Sequence, residues 1–378
     1  MKPAEKKKGP KIAIILGTRP EIIKMSPLIR ACDKEGCDYF ILHSGQHYSP
    51  EMDKKIFGDL GIPYPQYNLH SGGQEFRKQM SAMVFGIQEI LKKEKPDAVL
   101  VQGDTYTVLA GVLSAAKLGI PIGHIEAGLR SNDLSMPEEV NRIIADSISD
   151  YLFVPSEHAR ANLLAENIPA GKIHLTGNTV VDAVNHSLPL SGRTASDIFT
   201  RMGVEKNKYI LATAHRAEKV DTKETRKKIF KSLILASHYM KMPVVYPVHP
   251  RTWKHIENWV HTIPKEIKLV APLGYFDFLQ LESQAALILT DSGGIQEEAC
   301  ILGVPCVTMR ENTERPETVE LGTNILAGLE PESVLAGVKS ILAKPLPSGE
   351  PYGDGHAAER IVRILLEAYK ASKPTQPL

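Results

Sequence analysis

What limits the fold of this chain most tightly is a repeated pattern: a short apolar, β-branched run, a polar turn, then a stretch with helical spacing. The first run is Lys11–Leu16 (KIAIIL), followed by GTRP and the helical pattern EIIKMSPLIRAC. Similar runs fall at Tyr39–His43, Ala98–Gln102, Pro121–Ile125, Tyr151–Val154 and Lys172–Thr176. A second series begins after Gly177, at Tyr209–Thr213, Val244–Val248, Ile267–Val270, Ala286–Thr290, Pro305–Met309 and Asn324–Ala327. Runs that are apolar on both faces and spaced by helix-length segments predict parallel strands covered on both sides. Two such series predict an α/β protein of two Rossmann-like, doubly wound domains facing across a cleft. A chain of 378 residues is also longer than one core usually serves. We expect one domain over 1–177, with a closing amphipathic helix over 357–378 packing back on it. The second domain is expected over 178–356.

Charge and motif content exclude several function classes. Lys and Arg number 45 against 44 Asp and Glu, which argues against a nucleic-acid partner. No apolar run approaches the ~18–20 residues of a membrane helix. The Lys-rich stretch Met1–Pro10 lacks a secretory apolar core and reads as a tail, so a cytoplasmic location is expected. Cys32, Cys37, Cys300 and Cys306 form no C-x-x-C pair and are read as buried thiols. Zinc-type spacings are absent, and His43 and His47 straddle a turn, so no metal site is expected. Gly353-Asp354-Gly355-His356-Ala357-Ala358 matches G-x-G-x-x-A, but no strand precedes it. A P-loop is missing as well, and no cofactor is expected.

In open parallel sheets ligands bind beyond the carboxyl ends of the strands, so the residues there are the ones to read. The first strand runs into Gly17-Thr18-Arg19-Pro20-Glu21, a tight turn and helix start with Arg19 and Lys24 adding positive charge. Asp104 and Glu126 follow what read as consecutive strands, so both carboxylates are expected at one crevice. Glu138 opens another helix; alone it suits a first-turn acid, but with the other two it suggests acid–base chemistry. In the second half, His215 ends a strand beside Arg216. Thr290 leads into Asp291-Ser292-Gly293-Gly294, a strand–turn–helix start whose amides suit a phosphate. Glu298 lies in that helix's first turns, placed to accept sugar hydroxyls, and Arg315 offers a guanidinium fork for phosphate.

Taken in order, GTRPEIIKMSP, GQHY, QGDTYTVLAG, HIEAGLRS, MPEEVNR, TGNTVVDA, HRAE, YPVHPRT, TDSGGIQEEA, RENTERPETVE and PYGDG make the chain resemble the non-hydrolysing UDP-N-acetylglucosamine 2-epimerases. The likeness runs from about Lys11 to the closing helix. It implies the glycosyltransferase-B architecture, with a UDP-sugar bound between the domains, and a homodimer. It implies catalytic roles for Asp104, Glu126, Glu138 and His215, and nucleotide-sugar contacts from Arg19 and Lys24. Ser292, Gly293 and Gly294 match the family's diphosphate cradle, Glu298 its ribose-binding acid, Arg315 its TERPE arginine and Phe278 its uracil-contacting aromatic. Gln46 and His47 match a pair in the regulatory pocket of many bacterial members. Ala217 departs from GHRREN of those members and resembles archaeal relatives.

The implied reaction inverts carbon 2: loss of UDP from C1 and of the C2 proton gives 2-acetamidoglucal, and protonation of C2 from the opposite face with return of UDP to C1 gives the epimer. Other readings of the same residues are a glycosyltransferase, a hydrolysing epimerase, an epimerase of a diacetamido-uronate UDP-sugar, and a nucleotide-sugar sensor.

Overall fold

In the computed structural model, residues 9–46, 50–194, 197–214, 222–248, 253, 256 and 263–372 are described. The chain divides into two compact units, Met1–Ala183 with Tyr352–Leu378, and Val184–Pro351.

The first unit alternates strand and helix: β1 (Lys11–Leu16), α1 (Arg19–Lys34), β2 (Asp38–His43), α2 (Pro50–Leu60), β3 (Tyr67–Asn68) and α3 (Phe76–Glu94). It continues through β4 (Ala98–Gln102), α4 (Tyr106–Lys117), β5 (Ile122–Ile125), α5 (Pro137–Ile148), β6 (Tyr151–Val154), α6 (Glu157–Ala165) and β7 (Ile173–Leu175). Every strand pair is parallel, in the order β3-β2-β1-β4-β5-β6-β7. β1 and β4 are buried on both faces because helices cover both sides of the sheet. Ala13, Ile15, Val99 and Val101 pack with Met83 and Ile87 of α3 and Val108 and Val112 of α4.

The division between the units falls inside α7 (Thr179–Thr194). The second unit holds α8 (Ile198–Met202), β8 (Ile210–Thr213), α9 (Lys223–Met240), β9 (Val244–Pro247), β10 (Ile267–Val270) and α10 (Tyr275–Ser283). It ends with β11 (Leu287–Thr290), α11 (Gly293–Leu302), β12 (Cys306–Thr308), α12 (Pro316–Leu321), β13 (Asn324–Leu326) and α13 (Pro331–Leu342). Its sheet is also parallel, ordered β10-β9-β8-β11-β12-β13. The two doubly wound α/β sheets expected from the strand pattern are thus both present.

The last helix, α14 (Ala357–Ser372), belongs to the first unit and packs on α1. Its start is capped by Asp182, whose carboxylate accepts the amides of Ala357 and Ala358 at 3.2 and 3.0 Å. Gly177, at φ +85°, sits so close to the Tyr352 carbonyl that a β-carbon would lie 2.9 Å from it. The four cysteines are buried and none is in a disulfide. Among the described residues no helix is long and apolar enough to cross a membrane.

Candidate active site

In each sheet one strand pair marks where the winding reverses, β1 with β4 and β8 with β11. A crevice opens beyond the carboxyl ends of such a pair, because the connections leave it in opposite directions. The residues that follow those strands are the ones singled out by sequence.

At the first reversal, Thr18 caps α1 and Glu21 completes a capping box with it. Glu21 also reaches further than its own helix. Its Oε2 accepts the amides of Gly17 and Thr18 at 2.8 and 2.7 Å, and its Oε1 accepts the Thr105 hydroxyl at 2.6 Å. One buried carboxylate therefore ties the turn after β1 to the turn after β4. Burial pushes this carboxyl up to about 7, against the pull of the hydrogen bonds from Thr105, Gly17 and Thr18. Arg19, the first residue of α1, is half-buried.

Glu126 follows β5 in a left-handed backbone conformation, φ +69°. Such a conformation costs a residue with a β-carbon about 1–3 kcal/mol and is held only where neighbours dictate it. Here the Glu126 and Ala127 amides both donate to the Phe153 carbonyl, at 3.1 and 3.2 Å. The kink turns the Glu126 side chain onto Lys24 of α1, whose Nζ meets both carboxylate oxygens at 2.9 and 2.8 Å. Gln102, the last residue of β4, donates a further short hydrogen bond. Both Glu126 and Lys24 are buried, so each charge offsets the desolvation of the other.

Asp104 stands one strand away and is partly exposed. α5 holds it twice: Arg142 donates to its carboxylate, and Asn141 donates to its main-chain carbonyl at 2.9 Å. Arg142 is itself buried and pairs with Glu139, which accepts the amides of Ser131 and Asn132. Glu138 is exposed at the start of α5, while its neighbour Glu139 is buried.

Asp104 and Glu126 thus end adjoining strands. Gln102, Glu139, Asn141 and Arg142, which sequence reading passed over, are the groups that fix them. Gln46 caps α4, its Oε1 accepting the Thr107 amide and hydroxyl at 2.9 Å each. His47 lies outside the described residues.

At the second reversal, the Thr213 and Thr290 hydroxyls meet at 2.6 Å across β8 and β11, and Thr290 Oγ1 also accepts the Ser292 amide at 2.9 Å. α11 starts at Gly293, so the amides of its first turn have no partner within the helix and point out of its start. Arg315 lies against this turn: a β-carbon on Gly293 would sit 2.9 Å from its Nη1 and 3.1 Å from its Cζ. The guanidinium is buried and oriented by Glu297 at 3.2 Å and Glu314 at 3.1 Å.

Glu298 is half-buried in α11 and interacts with the fully buried Glu282 of α10. Burial and the adjacent Glu298 charge push the Glu282 carboxyl well above the ordinary range. Phe278, one turn before Glu282, packs half-buried on the cluster of Tyr209, Ile288 and Cys306. His215 lies outside the described residues. Among the described residues no group of three or more His, Cys, Asp or Glu side chains is arranged to hold a metal ion.

The first unit thus carries a carboxylate pair beyond the ends of β4 and β5, and the second an anion-ready helix start beside a buried arginine; each is a doubly wound α/β fold. Comparison with known proteins narrows that class. Residues 30–366 match the family model for UDP-N-acetylglucosamine 2-epimerase.

A UDP-N-acetylglucosamine 2-epimerase of Methanocaldococcus jannaschii is 49% identical over 360 residues, 94% of this chain and 98% of the relative. A UDP-2,3-diacetamido-2,3-dideoxy-D-glucuronate 2-epimerase of Pseudomonas aeruginosa is 39% identical over 359 residues, 94% and 99% of the two chains. The crystal structure of the M. jannaschii UDP-GlcNAc 2-epimerase in complex with UDP-GlcNAc and UDP superposes with a TM-score of 0.88 at 49% identity, covering 94% of this chain and 99% of that one. The chain belongs to the UDP-N-acetylglucosamine 2-epimerase family and is an isomerase.

Proposed function

We propose that this enzyme interconverts UDP-N-acetylglucosamine and UDP-N-acetylmannosamine by eliminating UDP to 2-acetamidoglucal and adding it back. The observation that carries this reading is Glu126, a buried carboxylate on strained backbone beside the Asp104 turn. The C2 hydrogen is not acidic while UDP remains attached. As the C1–O bond to UDP breaks, positive charge grows at C1 and acidifies C2–H. A carboxylate then takes that proton, leaving the glucal and UDP. Protonation of C2 from the other face, with return of UDP to C1, gives the epimer.

Asp104, Glu126 and Glu138 are proposed as the acid–base set, working on opposite faces of the ring. The α11 amides at Gly293 and Gly294, with Ser292, Arg19, His215 and Arg315, are proposed to stabilise the leaving diphosphate. Glu298 is proposed to accept the ribose hydroxyls and Phe278 to contact the uracil. Lys24 sits on Glu126, so its proposed role is to hold that carboxylate in place next to the sugar. We further propose a homodimer, supported by exposed Phe85 on α3 and Leu113 on the adjoining α4. A cytoplasmic setting suits four cysteines that form no disulfide.

The test is NMR of UDP-N-acetylglucosamine with pure protein in D₂O. Product should appear as UDP-N-acetylmannosamine carrying deuterium at C2, with no free sugar. Epimer without deuterium would overturn the elimination route. Asp104→Asn and Glu126→Gln should each lose at least ~10²-fold in rate, the low end for a positioned acid–base group. The 39% identical relative motivates a second substrate in the same assay, the diacetamido-glucuronate nucleotide. Faster turnover of that sugar would reassign the substrate while keeping the reaction.

A further inference from the structure

We infer that His124 and Asp146 form a buried positioning pair that fixes the Gly103–Asp104 peptide, and so aims the Asp104 carboxylate. This rests on Asp104 belonging to the acid–base set proposed above. His124 lies on β5, two residues before Glu126, with its side chain fully buried. Its Nε2 is 2.7 Å from the Gly103 carbonyl. A carbonyl only accepts, so Nε2 carries the hydrogen of that bond. On the other side, Nδ1 is 2.7 Å from Asp146 Oδ1. Asp146 is held in turn through Oδ2 by the Gly128 amide at 3.1 Å and Arg130 at 2.7 Å. Arg130 completes the chain with a two-pronged pair to Glu166, 2.6 Å on each prong.

The need for this pair follows from Gly103. At φ +81° the chain has left strand geometry, and the glycine has no side chain to anchor it. Its amide still donates to Ile125 at 3.0 Å, but its carbonyl has turned away from the sheet ladder. Without His124, the peptide joining Gly103 to Asp104 would lose its anchor on the β5 side, and Asp104 would be held from α5 alone, by Asn141 and Arg142. With His124, both sides of Gly103 are tied to β5, the strand that leads into Glu126. β5 therefore braces the Asp104 turn as well as leading into Glu126.

Two substitutions separate this role from simple core packing. Gln places its amide nitrogen where Nε2 lies and keeps the donor to Gly103; Asn reaches only the Nδ1 position and keeps the contact to Asp146. His124→Gln should retain kcat within about 3-fold, while His124→Asn should lose about 30-fold or more, consistent with a displacement of less than 1 Å. KM and UDP affinity by calorimetry should stay within about 2-fold in both, because the second unit's helix start is untouched.

Peptide-resolved hydrogen exchange gives a second readout: His124→Asn should speed exchange around 103–106 more than His124→Gln does. Equal kcat in the two variants, or losses that simply follow their melting temperatures, would overturn the assignment. So would equal exchange around 103–106 where Asn proves too unstable to assay. A wild type inert towards UDP-N-acetylglucosamine would sink the function itself, a result plainly separate from an active wild type with equal variants.

Discussion

Glu21 makes stability depend on pH in a direction opposite to that of most carboxylates. It is 2% exposed, and burial raises it from 4.5 to about 7 even though three donors surround it. In the unfolded chain it regains its ordinary affinity for protons. Below about pH 4.5 both states hold the proton and the group's contribution is intact. As pH rises, the unfolded state loses its proton first, and stability falls until the folded group titrates as well, near pH 7. A displacement from 4.5 to about 7 corresponds to about 3 kcal/mol in all, most of it lost between pH 5 and 8.

Glu21→Gln removes the charge while keeping the contacts available. The amide oxygen accepts the Gly17 and Thr18 amides, and the amide nitrogen donates to Thr105, whose hydroxyl turns to accept. Urea unfolding of both proteins at several pH values is the assay. The variant should be close to wild type at pH 5 and more stable than it by about 2 kcal/mol at pH 8. A variant equally stable, or less stable, at pH 8 would refute the reasoning. It would mean that the three donors outweigh burial and that Glu21 is a settled carboxylate throughout.

Lys24→Met strands the Glu126 charge in a buried setting, and should cost about 3–5 kcal/mol in urea unfolding together with most of the activity. Gly293→Ala pushes a methyl into the Arg315 guanidinium, which Glu297 and Glu314 keep from yielding. UDP binding by calorimetry should weaken about 10-fold or more, with a stability loss of about 1–3 kcal/mol. Arg142→Lys keeps the charge but not the fork that joins Asp104 to Glu139. Turnover should fall about 10-fold or more with KM little changed, read from initial rates at several substrate concentrations.

The strands were legible because interior parallel strands leave an unbroken apolar run, as in KIAIIL and AVLVQ. β3 was not, since two residues at a sheet edge carry no period. The strand-end rule led directly to Asp104 and Glu126 because each follows an apolar run within two residues. Their supports were hidden for a physical reason. Arg142 meets Asp104 across 38 positions of sequence, and only the packing of α5 over the β4 end decides that contact. His124 looked like one more residue of a buried strand. Glu21 reads locally as the acid of a capping box, and its bond to Thr105 depends on β1 and β4 being neighbours. Sequence reading placed the Lys24 charge at the mouth of the first turn, but its pairing with Glu126 spans 102 positions and only the fold decides it.

α14 returns to the first unit after the whole of Val184–Pro351 has intervened. During synthesis the second unit is therefore complete while the first still lacks a helix. The Asp182 carboxylate has no Ala357 or Ala358 amide to meet until then, and α1 leaves uncovered the surface that α14 will occupy. Units whose chain is contiguous fold as they emerge, so the later unit is expected to reach its native state first. The earlier unit closes only once α14 has been made and can cover α1.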